Sequence, residues 1–357
     1  MVGLACGLFA ACVWLTDQVV WQHARLGLFG LYPDRLLLIA LAAAALLAAV
    51  TLRVRQRGGS RFVTRLVAAG SATLLTIAAL EVVFMFVPRS HNVGYTLATN
   101  IWYERYWGTE NSLGYRDPEH VRIDGKKLVF VVGDSFTAGA GLPQRSSRFT
   151  EVLAARRPDL QVMNLGICGS DSSDEFRRLQ AHPLRPDLLV LQYYPNDIDG
   201  AAQRAGHAMP AFAAYQDLRS VKMRMLVRGS YLANFVYWQL PHTDGVAYEG
   251  FLDKVHFDPE VAREHGAELE RFVTWSRETG VPLVVALFPL MEDLEWSRKA
   301  NADVKELFVS RGLQVLDVAD LIGDLTVAER CVHSHDGHAS PVVHERVGAA
   351  LAERLGR

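Results

Sequence analysis

The first 88 residues contain no lysine and only three acidic residues, set against seven arginines. A segment so poor in charge cannot present an ordinary water-facing surface. Cysteine is also scarce, with four in 357 residues, which excludes a disulfide-stapled scaffold. The remaining 269 residues carry 30 Lys and Arg against 36 Asp and Glu, so a basic surface for nucleic acid is lacking as well. Half of all residues are hydrophobic and 21% are charged, which excludes a disordered or fibrous chain. The mean hydropathy of +0.09 is high for a purely soluble enzyme, and the excess sits at the N-terminus.

Three apolar stretches fill residues 1–88. Met1–Thr16 is uncharged and its apolar character runs on through Trp21, interrupted by Asp17. Leu36–Leu52 has no charge, and Leu66–Pro88 has one, Glu81. About 20 apolar residues cross a bilayer as a helix, so the expectation is about three transmembrane helices. Arg53, Arg55, Arg57, Arg61 and Arg65 lie between the second and third stretches. Basic short loops stay cytoplasmic, so the chain after Pro88 is expected outside the cytoplasm. Arg25 and Arg35 oppose that orientation but are outnumbered. A cleaved signal peptide fits less well, since no basic n-region precedes the apolar run, and only five residues precede Cys6, too few for a lipoprotein leader. Glu81 either faces other helices or a partner, or lies at the wetted outer interface. Cys6 and Cys12 fall in the first span.

Residues 89–124 are expected as a linker leading into the domain, with turn chemistry at Asn111–Asp117. After it, apolar runs of strand length alternate with amphipathic segments. Strands are expected at 128–132, 160–165, 188–193, 282–288 and 313–318. Helices are expected at 148–157, 174–182, 259–279, 292–311 and 342–355. Such alternation implies an α/β fold, a parallel sheet covered by helices on both faces. Ligands of these sheets bind beyond the carboxyl ends of the strands. There the sequence places Gly133-Asp134-Ser135-Phe136-Thr137-Ala138-Gly139, then Asn164-Leu165-Gly166, then Pro195-Asn196-Asp197, and finally His333-Ser334-His335-Asp336-Gly337-His338. Taken singly, each block has a plain structural reading: Asp134 or Ser135 as a helix N-cap, Gly166 and Asn196-Asp197 as turns, His338 as a surface histidine.

In this order the blocks resemble the SGNH, or GDSL-type, hydrolase family. The resemblance covers roughly residues 105–357. It implies an SGNH-type, flavodoxin-like three-layer sandwich with a parallel sheet, here preceded by N-terminal transmembrane helices. It implies Ser135 as nucleophile and His338 as its base, with Ser135, Gly166 and Asn196 supplying the oxyanion hole. Asp336 is the nearest candidate for the acid. The chemistry agrees: a serine hydroxyl needs an adjacent base, and the imidazole needs a carboxylate to fix its tautomer. No cofactor is implied.

Two departures stand out. The third block lacks the usual glycine, with Tyr194 two positions before Asn196. The last block has His335, not an acid, three positions before His338, and Asp336 at two. Asp117-x-x-His120 and Asp253-x-x-His256 have the family spacing but precede the fourth strand, so they read as decoys. His333, His335, Asp336 and His338 also admit a zinc site, although the further ligands such a site needs find little room in the residues that follow. His344 reads as helix surface. On the family fold, Cys168 and Cys331 stand on loops lining one site, so a disulfide between them is expected.

An insertion at about 198–258 breaks the strand–helix rhythm. It is rich in aromatic residues (Phe212, Tyr215, Tyr231, Phe235, Tyr237, Trp238, Tyr248) with basic Arg219, Lys222, Arg224 and Arg228. It is read as a helical subdomain with an aromatic core, the alternatives being an acceptor-binding cap or a membrane-facing surface. Trp102, Tyr103, Tyr106 and Trp107 read as an interfacial aromatic belt, the alternative being a sugar-stacking platform. The functional expectation is a membrane-anchored serine esterase working on O-acetyl or O-acyl groups outside the cytoplasm, periplasmic or extracellular, through an acyl-enzyme. The alternatives are an O-acyltransferase acting on an envelope or exported polysaccharide, or a non-catalytic glycan-binding relative. The expected partners are an ester-bearing substrate such as a glycan, the lipid bilayer, and a membrane acyltransferase partner.

Overall fold

The computed structural model describes residues 45–46, 48–58, 60–91, 94–102, 111–142, 144–210, 215, 218–240 and 243–355. The first expected span, most of the second, Cys6, Cys12, Tyr103, Tyr106, Trp107 and Phe212 lie outside them. The chain divides into two compact units. One holds the described parts of 1–90, 94–108 and 213–241; the other holds those of 91–93, 109–212 and 242–357. This differs from the sequence expectation in two places. The segment from 109 to 124 belongs to the second unit rather than to a linker, because Tyr115, Arg116 and Asp117 are buried in it. Residues 213–241 of the insertion group with the N-terminal helix instead of with the rest of the insertion.

In the first unit the helix Arg61–Phe84 starts at Ser60, whose hydroxyl accepts from Val63 N–H. Many of its apolar side chains are exposed, among them Phe62, Leu66, Ile77 and Val83. Among the described residues no helix is long and apolar enough to cross a membrane. Glu81 is turned toward another helix: its carboxylate accepts from Ser230 Oγ and from Tyr231 N–H (2.8 Å), at the start of the helix Tyr231–Trp238. The rings of Tyr215, Tyr237 and Trp238 pack on one another, with the Arg228 guanidinium 5.0 Å from the centre of Tyr215.

The second unit is built on five parallel strands: β1 Lys127–Gly133, β2 Leu160–Gly166, β3 Leu188–Tyr193, β4 Leu283–Leu287 and β5 Gln314–Asp317. Their order is β2-β1-β3-β4-β5, the flavodoxin-like order. Alternate residues serve opposite faces, as the strand period of two requires. Val129, Val131, Val190 and Ala286 pack with Phe149, Leu153, Val343 and Val347 on one side. Leu128, Phe130, Leu189 and Val285 pack with Phe176, Leu269, Phe272 and Phe308 on the other. The result is a three-layer sandwich. The helix expected over 292–311 is two, Leu294–Ala300 and Ala302–Ser310. They part at Asn301, whose amide donates to Phe288 O (3.2 Å) and ties the break to the end of β4. The block around His338 folds as an antiparallel hairpin, β6 Cys331–His333 and β7 Asp336–Ala339.

Candidate active site

The sheet register sets the site. Gly133, which ends β1, pairs with Gly166, which ends β2. Two residues beyond Gly133 the chain enters the single helical turn Ser135–Ala138. Asp134 is its N-cap, accepting from Phe136 N–H (2.9 Å). The capping and nucleophile readings are therefore compatible: the cap is Asp134 and Ser135 is the first helical residue. Gly139 closes the turn in the left-handed region (φ 76°), where glycine is favoured.

The Ser135 block and the His338 block meet. His338 Nε2 lies 3.0 Å from Ser135 Oγ, and His338 Nδ1 lies 2.5 Å from Asp336 Oδ1. The unexpected spacing of the acid has a simple geometric reason. Asp336 and His338 are the first and third residues of β7, and residues two apart on a strand share a face. An Asp-x-His pair on a strand therefore brings together what Asp-x-x-His would bring together elsewhere. Burial works against the charged imidazole, but the charge and hydrogen bond of Asp336, with Asp134 and Glu292 behind it, leave the His338 pKa above its ordinary value.

Gly166 sits where no other residue fits. A Cβ there would stand 2.3 Å from Ala138 N and 2.6 Å from Thr137 C, inside the serine turn. Its N–H donates to Asn164 Oδ1 (2.9 Å), and the same side chain donates through Nδ2 to Thr137 O (2.7 Å). Asn196 lies on the single turn Pro195–Ile198 after β3, half-buried. Burial pushes the Asp134 carboxyl up, opposed by the hydrogen bond from Phe136 N–H and by the nearby His338.

Several contributors escaped the sequence reading. Gln192, on the otherwise apolar β3, accepts from Asp134 N–H, Thr137 N–H and Thr137 Oγ1. One polar residue in a buried strand was the available signal. Both decoys hold site loops in place. His120 Nε2 lies 3.1 Å from Asp117 Oδ2, which accepts from Asn164 N–H. His256 Nε2 donates to Pro195 O (2.8 Å), just before Asn196, and burial pushes its pKa down to about 4, so it is neutral there at pH 7.

Other expectations fail. Cys168 and Cys331 form no disulfide: Cys168 stands exposed after β2, while Cys331 points into the core. Burial and the nearby Glu292 push the Cys331 thiol up to about 12. His344 is not helix surface. It is 1% exposed, takes the Phe149 N–H on Nδ1 (3.2 Å), and burial drives its pKa down to about 3. Among the described residues no group of three or more His, Cys, Asp or Glu is arranged to hold a metal ion.

Comparison with known proteins places this geometry in context. No curated protein matches the chain. Among solved structures, it resembles a member of the lipolytic protein G-D-S-L family from Veillonella parvula, with 14% identity, 65% of this chain and 99% of that one covered, and a TM-score of 0.40. It also resembles an acetylxylan esterase from Geobacillus stearothermophilus, with 15% identity, coverage of 65% and 95%, and a TM-score of 0.40. A lipase/acylhydrolase from Enterococcus faecalis shows 15% identity, coverage of 64% and 95%, and a TM-score of 0.37. Residues 131–346 match the profile of the GDSL-like lipase/acylhydrolase family, and with well over half of its length so matched the chain belongs to that family of serine hydrolases.

Proposed function

We propose that the protein is a membrane-anchored serine esterase that removes acyl groups through an acyl-enzyme. The observation that carries this reading is the continuous relay from Ser135 Oγ through His338 to Asp336. In the proposed mechanism His338 Nε2 takes the Ser135 proton as Oγ attacks the ester carbonyl. Asp336 holds the tautomer with the proton on Nδ1 and stabilises the imidazolium. The oxyanion is met by Ser135 N–H and the Asn196 amide, while Gly166 N–H is shared between Asn164 Oδ1 and the oxyanion as a three-centre bond. Each such donor contributes about 3 kcal/mol to the transition state. Collapse expels the alcohol, which takes its proton from His338. Water, activated by the same imidazole, then releases the acid.

The anchor is proposed from residues 1–88. Its support is the uncharged run Leu36–Leu52, the run Leu66–Pro88 with Glu81 alone, and the exposed apolar side chains of Arg61–Phe84. The arginines from 53 to 65 favour a hydrolase unit outside the cytoplasm. Substrates are proposed to be O-acyl esters on a glycan.

The test is fluorophosphonate labelling of the full chain in isolated membranes, with the modified residue mapped by mass spectrometry. Labelling at Ser135 that vanishes in His338→Ala is expected. Failure of the folded protein to label would overturn the esterase reading. With an acetylated glycan as substrate, acetate released into water is expected; acetyl found on an added glycan acceptor would establish transfer instead. Protease protection of the hydrolase unit in sealed right-side-out cells would refute the outward orientation.

A further inference from the structure

The turn that carries Ser135 is only four residues long. A helix of one turn does not hold itself together, and its last carbonyls have no partner within it. Here they are taken by a side chain from outside the family match, which begins at residue 131. Arg116 Nη1 donates to Ala138 O (3.1 Å) and to Gly139 O (3.2 Å). These are the last residue of the turn and its left-handed cap. A cation at the carbonyl end of a helical turn is electrostatically favourable. Ser135 O in turn accepts from Gly139 N–H and from Ala140 N–H (2.8 Å), so the cap that Arg116 grips is bonded directly to the nucleophile's own backbone.

The arginine is itself anchored. Arg116 and Asp117 are each 7% exposed, and Arg148 is fully buried. Arg148 Nη1 donates to Arg116 O (2.6 Å), and Nη2 donates to Asp117 Oδ1 (3.0 Å). Asp117 Oδ2 accepts the backbone N–H of Asn164 (3.0 Å), on β2 two residues before Gly166. Asn164 Nδ2 closes the circuit on Thr137 O, back in the serine turn. One loop of bonds thus runs from the Ser135 turn through Arg116, Asp117 and Asn164 to Gly166. It spans the two backbone segments whose separation decides whether nucleophile and oxyanion donors face the same carbonyl.

We infer that Arg116 is a positioning residue for Ser135, and that Asn111–His120 is a working part of the hydrolase unit. The inference rests on the proposed esterase reading of the site. Misplacement of a reacting group by about 1 Å costs on the order of a hundredfold in rate, so loss of the Arg116 grip is expected to act on turnover more than on binding. Both bonds come from one nitrogen. A lysine ammonium is therefore able to replace them, whereas methionine, of similar length, is not.

The experiment uses the full-length chain with p-nitrophenyl acetate as probe, read beside thermal unfolding and amide exchange at Gly139 and Ala140. Arg116→Met is expected to lower kcat about 10- to 100-fold with KM changed by no more than about twofold. Exchange at both amides is expected to speed up, and Arg116→Lys is expected to restore turnover and slow exchange. An Arg116→Met enzyme with wild-type kcat, or an Arg116→Lys enzyme as impaired as the methionine variant, overturns the inference. Ser135→Ala separates the two readings. If it hydrolyses the probe as fast as wild type, the esterase assignment fails, and amide exchange alone then decides whether Arg116 holds the turn.

Discussion

The two units of the chain dispose of their apolar and charged side chains in opposite ways. In the hydrolase unit Leu128–Val132 is wholly buried, and even Arg148 is enclosed by hydrogen-bonding partners. In the N-terminal unit Phe62 is 69% and Leu66 57% exposed, yet Glu81 is tucked against a helix start. The first pattern is a closed core with its polar groups paired; the second leaves apolar side chains of the helix Arg61–Phe84 uncovered among the described residues. The difference teaches where each unit's specificity comes from. In the hydrolase unit buried polar bonds set the site; in the N-terminal unit polar contacts such as those of Glu81 and Asn234 join helices that leave apolar side chains uncovered.

Three perturbations sharpen that contrast, the largest first. Asp336→Asn breaks the polar logic of the hydrolase unit. It is expected to lower kcat by about 10²- to 10⁴-fold, measured with an activated ester. The base must be neutral to work, and Asp336 holds the His338 pKa up. The acid limb of the pH–rate profile is therefore expected at higher pH in wild type than an ordinary imidazole would give, and displaced to lower pH in the variant. A profile that does not move would show that Asp336 is not the charge His338 feels.

Glu81→Ala should break the N-terminal clasp and leave the site alone. The helix Tyr231–Trp238 loses one of its cap acceptors, Ser230 still bonding Ala233 N–H (3.0 Å). A cap contributes about 1 kcal/mol, so a modest fall in thermal stability is expected at unchanged kcat. A loss of turnover at full stability would show that the clasp serves the chemistry.

The third perturbation concerns a carboxylate the hydrolase unit buries at a cost. Asp199 accepts from Tyr248 OH (2.8 Å), and burial raises its pKa to about 7. The unfolded chain gives up that proton near pH 3.9, so folding stability is lost as pH rises from there to about 7. Asp199→Asn keeps an acceptor without the charge. Its melting temperature is expected to exceed wild type by a few degrees at pH 8 and to converge with it toward pH 4. An unchanged difference across that range would refute the assignment.

Legibility in the sequence followed the range of the interactions. Strand β3 runs over the expected 188–193 because a buried parallel strand is written as a continuous apolar run. That the Ser135 and His338 blocks would meet was readable because strand ends and loops present them in order, and the two side chains stand 3.0 Å apart. The spacing of Asp336 departs from the family's because Asp336 and His338 lie on a strand, where residues two apart share a face. Arg116, Gln192 and His256 were hidden, since each acts on backbone 22 or more positions away and no local pattern marks such a bond. The disulfide failed for a similar reason. Two loops near one site do not dictate which way each side chain turns.

That unformed disulfide leaves the molecule with a natural clock. Cys168 meets solvent at once, while Cys331, the first residue of the hairpin that carries Asp336 and His338, is sealed in the core with its thiol pKa near 12. A thiol reagent reaches Cys331 only when that hairpin opens. The ratio of the two modification rates, read in one molecule and one spectrum, counts how often the catalytic hairpin breathes.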